Sequence, residues 1–253
     1  MNLEGVAVII TGGGSGLGAA TARAMAAKGA KVTVIDVNRD NAEGVASELH
    51  GIGAVADVSV EDQVNSALDK GETAHGVARV LVNCAGIGGG GKRTLGKAGP
   101  YPLDQFARVI NVNLIGTFNV IRLAAERLAG LPPLGEERGV FINTASVAAF
   151  DGQIGQAGYA ASKAGIAGLT LPVARDLSQI KIRVNTIAPG LFLTPMLMGL
   201  SEQVRASLAE QVPHPARLGS PNEYAALAVH IVENAMLNGE TIRLDGAIRM
   251  APK

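Results

Sequence analysis

The sequence predicts an α/β fold, a doubly wound parallel sheet with helices on both faces. Three observations predict it. Short strand-like runs recur along the chain, continuously apolar at 6–10 and 80–82 and rich in apolar residues at 140–145 and 182–187, as strands buried on both faces are. Ala-rich stretches with helical periodicity separate most of them. Small or polar residues gather where these runs end, and that is where the ligand crevice of such a sheet opens.

The chain has 253 residues, the size of one large α/β domain, so 1–253 is read as a single domain. Hydrophobic residues at 47% and charged residues at 17% allow a large core and exclude disorder. The formal net charge is +0, with no basic stripe, which argues against nucleic acid as a partner. A single cysteine, Cys84, leaves no intramolecular disulfide and fits a reducing compartment. The run 6–10 is too short to span a bilayer, and no basic segment precedes it. A soluble, cytoplasmic protein without membrane contact is expected.

In chain order, the first strand, 6–10, runs into Thr11-Gly12-Gly13-Gly14-Ser15-Gly16-Leu17-Gly18, and an Ala-rich helix follows to Lys28. A strand, a Gly-rich turn and a helix start aim backbone N–H groups at one point, an anion site suited to a pyrophosphate. The second strand, 31–35, ends at Asp36, about 20 residues after the glycines. A carboxylate there can accept from a ribose diol and repel a 2′-phosphate; the other reading, a cap on the next helix, does not explain the spacing. Helix 40–50, strand 52–56, Asp57-Val58 and helix 61–72 come next, then strand 80–82 and Asn83-Cys84-Ala85-Gly86. By this point the strand–helix alternation is that of a Rossmann-like domain.

Residues 87–102 break the rhythm. Lys92, Arg93 and Lys97 make this a basic loop longer than a usual strand-to-helix connection. A long helix, 103–128, carries Asn111 and Asn113, two amides that need partners in so apolar a setting. Strand 140–145 ends at Ser146. In the helix Ala157–Asp176, Tyr159 and Lys163 are four positions apart and share one face. A cation beside a phenol favours the phenolate and brings it closer to a working acid/base. After strand 182–187 come Pro189, Gly190, Phe192 and Thr194. The apolar run 196–200 with helix 202–210 reads either as a lid, about 190–215, or as a helix docked on the core. Helix 223–233 and strand Thr241–Leu244 close the chain. His50, His75, His214 and His230 have no zinc-site spacing, so no metal is expected.

Together, Thr11-Gly12-x-x-x-Gly16-x-Gly18, Asp57, Asn83-x-Ala85-Gly86, Asn113, Ser146, Tyr159-x-x-x-Lys163 and Pro189-Gly190 resemble the short-chain dehydrogenase/reductase family over nearly the whole chain. Cys84 and Ala247 depart from its usual pattern; Cys84 is read as a packed small residue. The resemblance implies an NAD cofactor held by Gly12, Ser15, Gly16, Leu17, Gly18, Asp36, Asp57, Val58, Asn83, Cys84, Ala85, Gly86, Tyr159, Lys163, Pro189, Gly190, Phe192 and Thr194. It makes about 1–145 the cofactor half and about 146–253 the catalytic and substrate half. Asn113, Ser146, Tyr159 and Lys163 become the catalytic set, and Ser146, Gln156 and Tyr159 the substrate contacts.

Within the family, Asn143-Thr-Ala-Ser-Val-Ala-Ala-Phe150, Gln153-x-x-Gln156 and the segment 238–250 are most similar to the 3-hydroxyacyl-CoA dehydrogenase type 2 group. That similarity implies hydride exchange between (S)-3-hydroxyacyl-CoA and 3-oxoacyl-CoA, with Tyr159 as acid/base, Ser146 on the alkoxide, Lys163 lowering the tyrosine pKa and Asn113 linking Lys163 to solvent. It also implies a homotetramer. The alternatives are a 3-oxoacyl carrier-protein reductase, a hydroxysteroid or secondary-alcohol dehydrogenase and, in a different class, a dinucleotide-sensing protein without chemistry.

Overall fold

The computed structural model describes residues 1–199 and 201–252; for Met196 only the backbone is described. Seven parallel strands form the sheet: β1 (Ala7–Thr11), β2 (Lys31–Asp36), β3 (Ile52–Val55), β4 (Val80–Asn83), β7 (Gly139–Thr144), β8 (Ile182–Pro189) and β9 (Thr241–Leu244). Their order is β3-β2-β1-β4-β7-β8-β9, with a separate hairpin of β5 (Leu95–Gly96) and β6 (Gly99–Pro100). The order reverses between β1 and β4, so a crevice opens at their carboxyl ends.

Alternation along the buried strands feeds two cores. Val8, Ile10, Val80, Val82, Val140 and Ile142 face α1 (Gly16–Ala26), α2 (Arg39–Glu48) and α9 (Pro221–Glu233). Ile9, Leu81, Phe141 and Val184 face α3 (Glu61–His75), α5 (Gly116–Ala129) and α6 (Ala157–Asp176). With both faces covered, β1 and β4 are apolar at nearly every position, whereas β7 and β8 also bury Asn143, Thr144, Arg183, Asn185 and Thr186.

The expected helix 103–128 is present with a different interior. It consists of α4 (Leu103–Ile110), a π turn (Asn111–Ile115) and α5, and the Gly116 N–H bonds to the Asn111 carbonyl. Gly116 lies hard against Val58, where a Cβ would meet the valine Cγ2 at 2.5 Å. Only Asn113 is buried and partnered; Asn111 is exposed, which corrects the expectation that both amides require internal partners. The lid region forms α7 (Pro195–Met198) and α8 (Glu202–Glu210), while Leu200, part of the expected apolar run, lies outside the described residues. None of the described helices is long and apolar enough to cross a membrane.

Candidate active site

A cavity of about 780 Å³ opens along the carboxyl edge of the sheet, within the size range of small-molecule sites. One end is the Gly-rich turn. Gly12 adopts φ +61°, and a Cβ there would come within 2.7 Å of the Ala85 nitrogen. A Cβ on Gly18 would strike the Gly12 carbonyl. Turn, helix and β4 therefore pack to backbone contact, leaving a shallow cradle before α1. The helix N-cap, Ser15, makes no side-chain cap bond and no acid occupies the first turn, so the amino end of α1 faces the cavity unneutralised. These are the properties a pyrophosphate requires.

The acids are fixed by backbone. Asp36 accepts from the Gly14 N–H and the Asn38 N–H, both at 3.0 Å. Asn38, and not Asp36, caps α2, accepting from the Asn41 N–H at 3.0 Å, so the capping alternative for Asp36 is excluded. Asp57 accepts from the Ser59 N–H at 2.9 Å and its hydroxyl at 2.6 Å. The glycine cradle, the free helix end and the two oriented carboxylates fit a dinucleotide.

At the other end, β7 stops at Thr144 and a 3₁₀ turn, Val147–Ala149, places Ser146 at the cavity wall, its hydroxyl accepting from the Ala148 N–H at 3.1 Å. Tyr159 lies in the first turn of α6. Lys163 follows one turn later and is 5% exposed; its Nζ donates to the Thr144 carbonyl at 2.7 Å and sits 5.8 Å from the Tyr159 ring centre. Asn113 is sealed behind this group. It accepts from the Ile87 N–H at 2.8 Å and donates to the Ile87 carbonyl and the Ser162 hydroxyl, each at 3.0 Å.

The electrostatics correct one expectation. Burial pushes the Tyr159 phenol above its ordinary value, against a smaller lowering by hydrogen bonding to Ser146. Burial also brings the Lys163 ammonium down to about 8, with nearby Cys84 opposing the shift. Desolvation therefore outweighs the neighbouring cation in the protein alone, and Tyr159 stands as a protonated acid at neutral pH. Cys84 is itself pushed up by burial and contacts the hydroxyls of Thr144 and Tyr224, a packed thiol as expected.

The cavity wall contains Gly12, Ser15, Gly16, Leu17, Gly18, Asp36, Asp57, Val58, Cys84, Ala85, Gly86, Ser146, Gln156, Tyr159, Lys163, Pro189, Gly190, Phe192 and Thr194. Two expected residues lie behind it. Asn83 is 3% exposed and its amide is committed to Asn143 and Thr11, so it braces the sheet edge and does not reach a ligand. Asn113 is fully buried and bonded to Ile87 and Ser162 behind the wall. Phe192 does line the cavity, yet it is a core residue docked on Gly219, where a Cβ would meet its ring at 2.7 Å. It is a fixed wall, although it falls within the expected lid, about 190–215.

Sequence reasoning missed Gly88–Gly91, Arg108, Val112, Gln153, Leu208 and Met250, all at the cavity. Gly89 packs against Tyr159, and the Tyr101 hydroxyl donates to its carbonyl at 3.2 Å. The four-glycine run signalled a close approach of this kind; Met250, far away in sequence, gave no signal. Lys92, Arg93 and Lys97 stand exposed beyond that run and form no ion pair among the described residues. Nor do the described residues contain a cluster of three metal-ligating side chains.

Comparison with known proteins places this geometry. The short chain dehydrogenase family model matches residues 6–205. A curated relative, 3-hydroxyacyl-CoA dehydrogenase type-2 of Bos taurus, is 53% identical over 99% of this chain and 98% of its own. A crystal structure of 3-hydroxyacyl-CoA dehydrogenase type-2 from Mycobacterium avium superposes with TM-score 0.95 at 41% identity, covering 99% of this chain and 98% of that one. One of 3-ketoacyl-(acyl-carrier-protein) reductase from Brucella melitensis, complexed with NADH, gives TM-score 0.88 at 30% identity, covering 98% and 100%.

Proposed function

Since the chain belongs to the short chain dehydrogenase family, we propose that it is an NAD-dependent oxidoreductase that interconverts (S)-3-hydroxyacyl-CoA and 3-oxoacyl-CoA. The observation that carries the reading is one cavity holding a dinucleotide cradle at one end and Ser146, Tyr159 and Lys163 at the other. The 53% identity to a 3-hydroxyacyl-CoA dehydrogenase supports the substrate class. A panel of 3-hydroxyacyl-CoA thioesters, carrier-protein thioesters, steroids and simple secondary alcohols, followed by NADH absorbance, tests it; a preference for any class but the CoA thioesters would redirect it.

A bound nicotinamide supplies the hydride acceptor. The protein supplies the rest. Tyr159 exchanges a proton with the substrate oxygen, and burial keeps the phenol protonated, so the proton is in place in the direction of carbonyl reduction. Ser146, next to it on the wall, hydrogen-bonds the same oxygen as charge develops there. Lys163 contributes a desolvated ammonium that can bind a ribose hydroxyl and favour the phenolate in the opposite direction. Asn113, bonded to Ile87 and Ser162 behind the site, is assigned the link between Lys163 and solvent. Gln153 and Gln156, bonded to each other at the wall, offer amides to the thioester end.

The cofactor assigned is NAD. Asp36 would meet a 2′-phosphate with like charge, and Arg39, three positions further along the chain, is paired with Glu43 at 3.1 Å. The expected kcat/KM is higher for NAD than for NADP, and Asp36→Ala should narrow the gap. Equal use of both by the unaltered enzyme contradicts the assignment.

The exposed Lys92, Arg93 and Lys97 are assigned to the phosphates of CoA outside the pocket. Replacing all three with Ala should raise KM for acetoacetyl-CoA roughly three- to tenfold, since each exposed pair is worth little. Added salt should do the same. A truncated thioester lacking the nucleotide should respond to neither change; if acetoacetyl-CoA is equally indifferent, the loop is only a solvated connection.

The proposed assembly is a homotetramer. Leu103 (78% exposed), Ile115 (49%) and Phe118 (48%) leave apolar surface on the α4–α5 helix. Light scattering at micromolar concentration should give about four times the 25.8 kDa chain mass, and a monomer there would overturn the assignment.

A further inference from the structure

We propose that Tyr224, on α9 and outside the cavity wall, is a positioning residue that acts through Thr144 to fix the acceptor of Lys163. The inference rests on the role given to Lys163 above. Tyr224 is 0% exposed, and its hydroxyl is 2.7 Å from the Thr144 hydroxyl. Thr144 has one hydroxyl proton, and the Asn83 carbonyl, 2.6 Å away, receives it. The Tyr224 hydroxyl must therefore donate to Thr144. The Cys84 thiol lies 3.7 Å behind it, placed to donate to the Tyr224 oxygen. This gives a directed chain from Cys84 to Tyr224 to Thr144 to the Asn83 carbonyl.

Thr144 is also where the sheet meets the chemistry. It is the last residue of β7, and its own carbonyl accepts the Lys163 ammonium at 2.7 Å. The following peptide nitrogen, of Ala145, is anchored on the Ile187 carbonyl at 2.8 Å. Backbone bonding thus holds one edge of the Thr144–Ala145 peptide and Tyr224 holds the residue from its side chain, so the carbonyl keeps one direction. An ammonium this buried has few compensating partners, and the alignment of the one carbonyl acceptor it has among the described residues governs how well its charge is held. The titratable groups facing it are Tyr159 on its own helix and Cys84 after β4; its other polar neighbours, Thr144 and Asn113, carry no charge.

Tyr224→Phe keeps the ring and removes only the donor. Steady-state kinetics with NADH and acetoacetyl-CoA across pH, together with thermal unfolding, provide the test. KM for NADH should rise about threefold or more, and the alkaline limb of kcat should move down by about half a unit, as a loosened charged hydrogen bond requires. Thr144→Val should do the same, the double variant should be no worse than either single one, and Thr144→Ser should restore both readouts. Ile231→Val, another buried change on α9, should lower Tm and move neither. A Tyr224→Phe enzyme with lowered Tm but wild-type KM and pH limb would make Tyr224 a packing residue and overturn the proposal. If that variant does not fold, Thr144→Val decides on the same two readouts. Lys163→Ala separates the two layers: wild-type kinetics there sink the role of Lys163 itself, whereas a damaged Lys163→Ala beside a silent Tyr224→Phe sinks only this inference.

Discussion

Tyr159→Phe should lower turnover by roughly 10²–10⁴-fold, the usual effect of losing one general acid/base, while cofactor affinity measured by titration stays near wild type. The substitution removes a single oxygen from a half-buried ring and leaves the cradle, Asp36 and Lys163 in place. Its folding consequence is small for the same reason. Burial already keeps that hydroxyl protonated, so no buried charge is lost with it. A variant with near-wild-type rates would remove Tyr159 from the mechanism.

Lys163→Ala should behave differently, because one ammonium serves two partners. A hydrogen bond to a charged group is worth roughly 1.5–3 kcal/mol, so affinity for NAD should fall about 10- to 100-fold. Turnover should fall as well, since the phenolate loses its neighbouring cation. The alkaline limb set by an ammonium titrating at about 8 should vanish from the pH profile. The check is a KM-against-kcat comparison with Tyr159→Phe: a defect confined to kcat would take the ribose contact away from Lys163.

Local signals made the frame legible. Strands buried on both faces leave apolar runs, and a helix start at a phosphate site leaves glycines, so β1, α1 and the cradle could be read directly. The pair Tyr159 and Lys163 was legible because four residues along one helix fix their proximity. Features that depend on distant contacts were not. The π turn at Asn111–Ile115 accompanies the close packing of Gly116 on Val58, nearly 60 positions away. The same applies to Asn83: its neighbours in sequence suggest a ligand contact, but pairing with Asn143 turns its amide into the sheet edge. The direction of the Tyr159 shift was hidden too, because desolvation is a property of the whole pocket and the sequence displays only the cation. Likewise Met250 reaches the cavity only because Gln153 and Ile154 bond to Ala251 and Pro252, a contact between segments almost 100 residues apart.

The central claim is a CoA-thioester oxidoreductase that uses NAD, and the most direct measurement is the reduction of acetoacetyl-CoA by the purified protein, followed as loss of NADH absorbance. Saturable NADH consumption, slower with NADPH and abolished in Tyr159→Phe, is the predicted result. No consumption above the rate of Tyr159→Phe, with NADH binding intact, would contradict the claim and leave a dinucleotide-binding protein without this chemistry.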